Sequence, residues 1–196
     1  MRLSFAVLAA VAGLSATPAF ADECIDEIKA VMTAAMNSGP MHMESTITAP
    51  GAEMKMSGDI VPPKSMHMNV DTNGEVVEMV ILEDKAWMNQ GGVWTEMPPE
   101  VAAQMTASFD MADTSALDAM TSPVCGATET VDGVEYDAYT WALDVEGSPT
   151  ANKVLADTET GAPVRMETEM TATGGNTKVL VDYTYDETIT ITAPAM

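Results

Sequence analysis

The sequence predicts an α+β fold dominated by antiparallel β structure: one N-terminal helix, about ten or eleven strands, and two short helices between the two runs of strands. Three observations predict it. The apolar period switches from helical to alternating near residue 39 and stays alternating over most of the remaining chain. Turn-forming pairs recur between the alternating runs, as a meander of antiparallel neighbours requires. The 196 residues are 46% hydrophobic, which suits one globular core, and they contain no internal repeat, low-complexity linker or second domain.

Residues 1–21 read as a cleaved signal peptide. Arg2 supplies the positive n-region, Leu3 to Leu14 the apolar h-region, and Ala19-Phe20-Ala21 the small-x-small site, so the mature single domain is 22–196 and begins at Asp22. No later apolar run approaches the roughly 18 residues of a membrane-spanning helix. Cys24 follows Asp22-Glu23 and lacks the small and apolar residues of a lipobox, which argues against a lipid anchor. The expected product is exported and periplasmic, not an integral membrane protein.

Residues 23–38 form the predicted N-terminal helix, with Ile25, Ile28, Met32 and Met36 (and Ala35) at i, i+3, i+4 spacing, Asp22 as its cap and Gly39 as its stop. Alternation then runs through Met41, Met43, Ser45 and Ile47, through Met54, Met56, Gly58 and Ile60, and through Met66, Met68 and Val70. Pro50-Gly51, Pro62-Pro63 and Thr72-Asn73-Gly74 separate these runs. Val76 to Leu82, Ala86 to Asn89 and Val93 to Glu96 continue the meander, which Pro98-Pro99 ends. Helix formers in 100–121 place Val101, Met105, Leu117 and Met120 on a broken apolar stripe, read as two short helices interrupted near Asp110 to Thr114. After a loop around Cys125, strands are expected at Glu135 to Val145, Asn152 to Asp157, Val164 to Thr171, Thr177 to Tyr185 and Thr188 to Thr192.

Charge narrows the partners. With 30 acidic and 8 basic side chains the net charge is −22, so nothing can form the basic face that nucleic acid requires, and an anionic membrane surface would repel the chain. An acidic exterior favours proteins with basic patches instead. Cys24 and Cys125 are the two cysteines of an exported chain and are read as one disulfide closing a loop of about 100 residues. A redox or metal-binding pair is the alternative, although no C-x-x-C is present.

Methionine is the compositional anomaly: 18 Met against 3 Phe and 4 Tyr. In a strand, residues i and i+2 share a face, so Met41/Met43, Met54/Met56 and Met66/Met68 project three pairs to one side of three consecutive strands. Paired as neighbours, these strands make one thioether patch, which Met79, Met166 and Met170 extend and which the helices carrying Met32, Met36, Met105 and Met120 would cover as a lid. The patch reads either as a core with methionine as filler or as an apolar-ligand cavity. Unbranched methionine suits surfaces that repack around variable ligands, and aromatic residues that would fill the space rigidly are scarce.

Soft thioethers also bind Cu(I), and Met43, Met54, Met56, Met66 and Met68 could supply them. His42 and His67 sit between methionines in the text, yet alternation turns them to the opposite face, so a mixed Met/His site needs a local bulge. Catalytic groups are sparse. Those two histidines belong to no hydrolase or zinc-protease motif, a paired-carboxylate hydrolase has no supporting pattern, and Asp157-Thr158-Glu159-Thr160 is a polar turn without calcium-loop spacing. No cofactor is expected.

The order of motifs resembles the LolA-like superfamily of periplasmic lipoprotein and lipid carriers. In the first half it rests on the N-terminal helix, Gly58-Asp59-Ile60 followed by Pro62, Asp84-Lys85-Ala86-Trp87, and Gly92-Val93-Trp94 before a proline. In the second half it rests on Asp132-Gly133-Val134-Glu135-Tyr136, Tyr139-Thr140-Trp141, Ala156-Asp157, Thr160-Gly161-Ala162-Pro163-Val164-Arg165, and Tyr185-Asp186 before Ile191 and Pro194. LppX/LprG-type lipid carriers and outer-membrane lipoprotein-sorting proteins are especially similar. The resemblance implies a curved half-barrel sheet closed by helices, an inner apolar face that holds acyl chains, and no enzymatic activity. An envelope sensor or interaction module of the same fold is a further variant. The polar and basic contacts of the lipoprotein shuttle have no counterpart here, and Arg165 alternates away from the apolar face.

Overall fold

The computed structural model describes residues 18–108, 114–145, 147–172 and 175–195. The expected signal peptide therefore lies largely outside the described residues, as does the expected helix break, apart from Thr114. One helix, α1 (Pro18–Asn37), precedes six strands: β1 (Met41–Ala49), β2 (Ala52–Val61), β3 (Ser65–Thr72), β4 (Glu75–Leu82), β5 (Lys85–Gln90) and β6 (Val93–Glu96). Helix α2 (Pro99–Ser108) and a 3-10 turn (Ser115–Ala119) follow. Five longer strands complete the chain: β7 (Thr121–Val131), β8 (Val134–Val145), β9 (Ser148–Asp157), β10 (Pro163–Ala172) and β11 (Gly175–Tyr185). All eleven form one antiparallel sheet in the order β6-β5-β4-β3-β2-β1-β11-β10-β9-β8-β7, curved into a half-barrel that does not close.

Four expected boundaries move. The described part of helix α1 already includes residues 18–21, so Asp22 is an internal residue and not the cap. Cys125 sits in a strand, not a loop. Pro123 and Gly126 read as breakers, but β7 is the edge of the sheet, where its register shifts between Thr121, Val124 and Ala127 cost few hydrogen bonds. Strand β9 starts at Ser148, ahead of the expected Asn152, and pairs back to Val145. Residues 188–192 form no strand: β11 is already paired on both sides, by β1 and β10, and the Asp186 carboxylate caps a turn through the Thr188 N–H (2.8 Å) and hydroxyl (2.7 Å).

One face of the sheet, hereafter the inner face, is covered by the helices. Helix α1 buries Cys24, Ile28, Val31 and Ala35, a stripe at i, i+4, i+7 and i+11. Its first three members join Leu117, Met120, Trp141, Val154 and Ala156 in one core cluster, and Ala35 joins a second cluster with Met41, Ile60, Met66, Met68, Ile81, Ala86 and Ala102. A single helix thus bridges both halves of the sheet. Cys24 is bonded to Cys125 with 5.7 Å between their Cα atoms, which ties α1 to the edge strand β7. Lys29 adds an ion pair with Asp118 beside the 3-10 turn.

The outer face carries the charged strand positions together with the buried apolar side chains of Val80, Trp87, Ala138 and Leu155, and several of its cations are paired. Lys153 reaches Glu129 (3.1 Å) and Glu167 (3.3 Å), Lys178 reaches Glu169 (3.4 Å), and Arg165 Nε donates to Asp182 (2.6 Å). His42 and His67 also lie here, each 2.7 Å from a carboxylate, Asp59 and Glu78 respectively.

Stability measurements can check both the disulfide and the closest strand contact. Breaking the Cys24–Cys125 bond by Cys24→Ser/Cys125→Ser releases a loop of 101 residues, and denaturant unfolding should show a loss of about 2–5 kcal/mol. Gly58 lies under β3, where an added Cβ would meet the His67 carbonyl oxygen and the Met68 Cα (2.9 Å), both backbone atoms. Gly58→Ala should therefore lower stability by about 1–3 kcal/mol through overpacking, visible as a reduced Tm.

Two carboxyl groups give the fold a dependence on acid pH. The Thr160 N–H and hydroxyl hold the Asp157 carboxyl below its ordinary value, and the Thr188 hydroxyl and N–H do the same for Asp186. Carboxyl groups depressed in the folded state stabilise it above the unfolded pKa and stop doing so as the pH falls through the folded one. NMR titration should give both carboxyls midpoints below 3.8.

Candidate functional site

The candidate site is the inner face of β1–β5 together with the helices over it. Register places its side chains in rows. Met41 stands opposite Ile60, Ile60 opposite Met66, Met66 opposite Ile81 and Ile81 opposite Ala86. The next row runs Met43, Gly58, Met68, Met79, Met88, and the one after it Ser45, Met56, Val70, Val77. Alternation in the sequence thus becomes a two-dimensional thioether surface. Met41, Met66 and Met68 are 0%, 6% and 3% exposed, while Met43, Met56, Met79, Met97 and Met105 pack around them half-buried.

Gly58 is what lets the methionines interlock. The Met68 Sδ lies 2.5 Å from the position a Cβ would take, so its thioether occupies the space left by the missing side chain, on the row shared with Met43. Tyr183 and Tyr185 close the patch on the β11 side, paired with Met43 and Met41. Burial pushes the Tyr183 phenol up to about 12, and that of Tyr185, whose hydroxyl donates to the Pro163 carbonyl (2.9 Å), further up. Both stay neutral at any ordinary pH, in keeping with an apolar surface.

The thirteen methionines singled out by alternation and helical spacing divide into three groups. Met41, Met43, Met56, Met66, Met68, Met79 and Met105 fall in the one cluster, which Met97, in the link between β6 and α2, also joins. Met32, Met120 and Met166 belong to the other cluster, packed with Trp141, Val154 and α1. Met36, Met54 and Met170 are half-buried and belong to neither. Hence the methionine patch lies under α2 and the last turn of α1, whereas Met32 and Met120 pack on the far half of the sheet. Sequence spacing does not single out Tyr183, Tyr185 or Ala102, although the alternation of β11 holds the signal for the tyrosines.

Each histidine faces the side of the sheet away from the thioethers and is hydrogen-bonded to a carboxylate. Of the five methionines considered for Cu(I), Met43, Met56, Met66 and Met68 share one cluster and Met54 stands apart. Among the described residues no three of His, Cys, Asp and Glu converge in the manner of a metal site, and no helix is long and apolar enough to cross a membrane. Two clefts elsewhere are lined in part by charged groups, Lys153, Glu167 and Glu169 in one and Glu44, Lys55 and Asp71 in the other.

Neither protein-family models nor curated protein sequences give a match to the chain. Solved structures do. The Mycobacterium tuberculosis lipoprotein LppX superposes with a TM-score of 0.63 at 14% identity, over 83% of this chain and 94% of LppX. LprF from Mycobacterium bovis superposes with a TM-score of 0.56 at 14% identity, over 89% of this chain and 98% of LprF. Likeness at such identity concerns the path of the backbone, and it establishes that this chain has the LolA-like fold that its motif order resembles.

Proposed function

We propose that the protein is an exported, non-enzymatic carrier of an apolar ligand, lipid or lipoprotein acyl chains, held on the methionine surface of the inner face and acting in the periplasm. The observation that carries this reading is the single cluster of interlocking thioethers beneath α2 and the end of α1. A core that had only to be stable would favour branched and aromatic side chains, which hold one shape. Methionine side chains keep three rotatable bonds and can open around a chain, then refill the space after release.

The energetics suit such a role. Each buried CH₂ contributes about 0.8 kcal/mol, so an acyl chain of about 16 carbons offers roughly 12 kcal/mol before ordering costs. Uptake requires the cover to part from the sheet. Helix α2 is the movable part in this reading, because α1 is fixed at Cys24 while α2 adjoins β5, next to the short edge strand β6. The surplus of carboxylates on the exterior keeps the empty carrier soluble and steers it toward envelope partners with basic patches.

Native mass spectrometry of the mature protein purified from its own cell envelope tests the reading. The expected result is an added mass in the lipid range that disappears on organic extraction. Met43→Leu/Met56→Leu/Met68→Leu, which conserves volume, should keep the fold and take up lipid, whereas the corresponding triple change to Asp should lose it. Lipid uptake by the Asp variant would refute the assignment of the ligand to this face. A protein that arrives without lipid and instead gains about one copper under reducing conditions would refute the carrier reading altogether.

A further inference from the structure

The inner face is not uniformly apolar. Away from the methionine patch a polar band crosses it, one row of which runs Trp141, Asn152, Thr168, Val179 and Ile47 on β8, β9, β10, β11 and β1. Its middle is satisfied internally: Thr168 Oγ1 donates to Asn152 Oδ1 (2.9 Å), and Asn152 Nδ2 donates to Thr150 Oγ1 (3.1 Å). Its ends are not. The Trp141 indole N–H, in a residue 3% exposed, has no acceptor, and neither does the Ser45 hydroxyl, also in a residue 3% exposed, have any partner. Ser45 stands one step along β1 from this row, between Met56 and Val181, and is the one polar side chain among the three rows of the methionine patch.

Buried polar groups are nearly always hydrogen-bonded, so each of these two exceptions calls for an explanation. We propose that this band is a subsite for the neutral carbonyl linkages of an acylated ligand, with the Trp141 N–H and the Ser45 hydroxyl as its free donors and the hydrocarbon tails directed onto the methionine patch. The proposal rests on the carrier reading and adds the chemistry and orientation of what is carried. An indole N–H only donates, so the matching group must be an acceptor. That acceptor is uncharged, because the inner-facing strand positions among the described residues carry no Lys or Arg, and an anion buried there would have no counter-charge. Trp141 and Ser45 are four strands apart, about 19 Å along the sheet, so they serve separate linkages of one multiply acylated ligand or of two ligands side by side.

The test offers the intact, disulfide-bonded mature protein a mixture of a diacylglycerol and its dialkyl diether of equal chain length, delivered from phosphatidylcholine vesicles. Bound lipid is read by native mass spectrometry. The expected result is a preference of about tenfold for the ester, reduced severalfold in Ser45→Ala and in Trp141→Phe. Ser45→Ala has a second signature: since it removes a buried hydroxyl without a partner, the Tm of the lipid-free protein should hold or rise while ester preference falls. A purely structural serine would lower the Tm instead. Equal uptake of both lipids by the unaltered protein, or a preference that survives both substitutions, would overturn the subsite and leave the carrier reading standing. Uptake of neither lipid would overturn both.

Discussion

An open antiparallel sheet with one apolar face exposes that face to water unless something lies across it, and here the cover is slight. Among the described residues, one helix of 20 residues, one of 10 and a single 3-10 turn must shield eleven strands. Helix α1 does so by contributing Cys24, Ile28 and Val31 to one cluster and Ala35 to the other, and the Cys24–Cys125 bond fixes where along the sheet it lies. The disulfide joins the first covering element to an edge strand 101 residues later, so it restricts the unfolded chain and anchors the cover at one end. Cover that is scarce and tethered at one end leaves the other end less constrained, which is the end the proposed carrier would open.

The methionine surface reflects the same scarcity. With little helix above β1–β5, the sheet's own side chains must fill the volume, and long unbranched ones reach furthest. Gly58 shows how closely they interlock, since the Met68 thioether lies where a side chain on β2 would have been. Such packing excludes water without committing the site to one shape. In the proposed carrier, filler and binding surface would therefore be two states of the same side chains, with the carboxylates of the outer face left in solvent.

Much of this is legible in the sequence because the side-chain period of a strand is two. Alternation alone puts Met41, Met43, Met66 and Met68 on one face and His42 and His67 on the other, and turn residues delimit nearly every strand. Spacing finds Ile28 and Ala35 but otherwise places the helical stripe one residue out of phase, through Ile25 and Met32 and not Cys24 and Val31, because a chain rich in alanine and methionine offers several stripes of similar hydrophobicity. Strand β7 is hidden by Pro123 and Gly126, which signal a break in the interior of a sheet but are tolerated at its edge. Edge position is a property of the whole topology and no local pattern encodes it. For the same reason Met120 and Met105, both on the stripe read from spacing, pack in different clusters.

The polar band is the least legible feature, since Ser45 and Asn152 look like ordinary alternating residues until the register places them on the buried side. Two kinds of polar group then separate. Thr150, Asn152 and Thr168 satisfy one another and need nothing further, so they specify the packing of β9 against β10. Ser45 and Trp141 satisfy nothing and weaken the empty fold, since a buried donor left unpaired costs about 1–3 kcal/mol. A stable resting core would replace Ser45 with a small apolar residue at no loss of packing. In the proposed carrier its hydroxyl is intelligible as a group whose partner arrives with the ligand, and the inner face would then be better matched to the loaded protein than to the empty one.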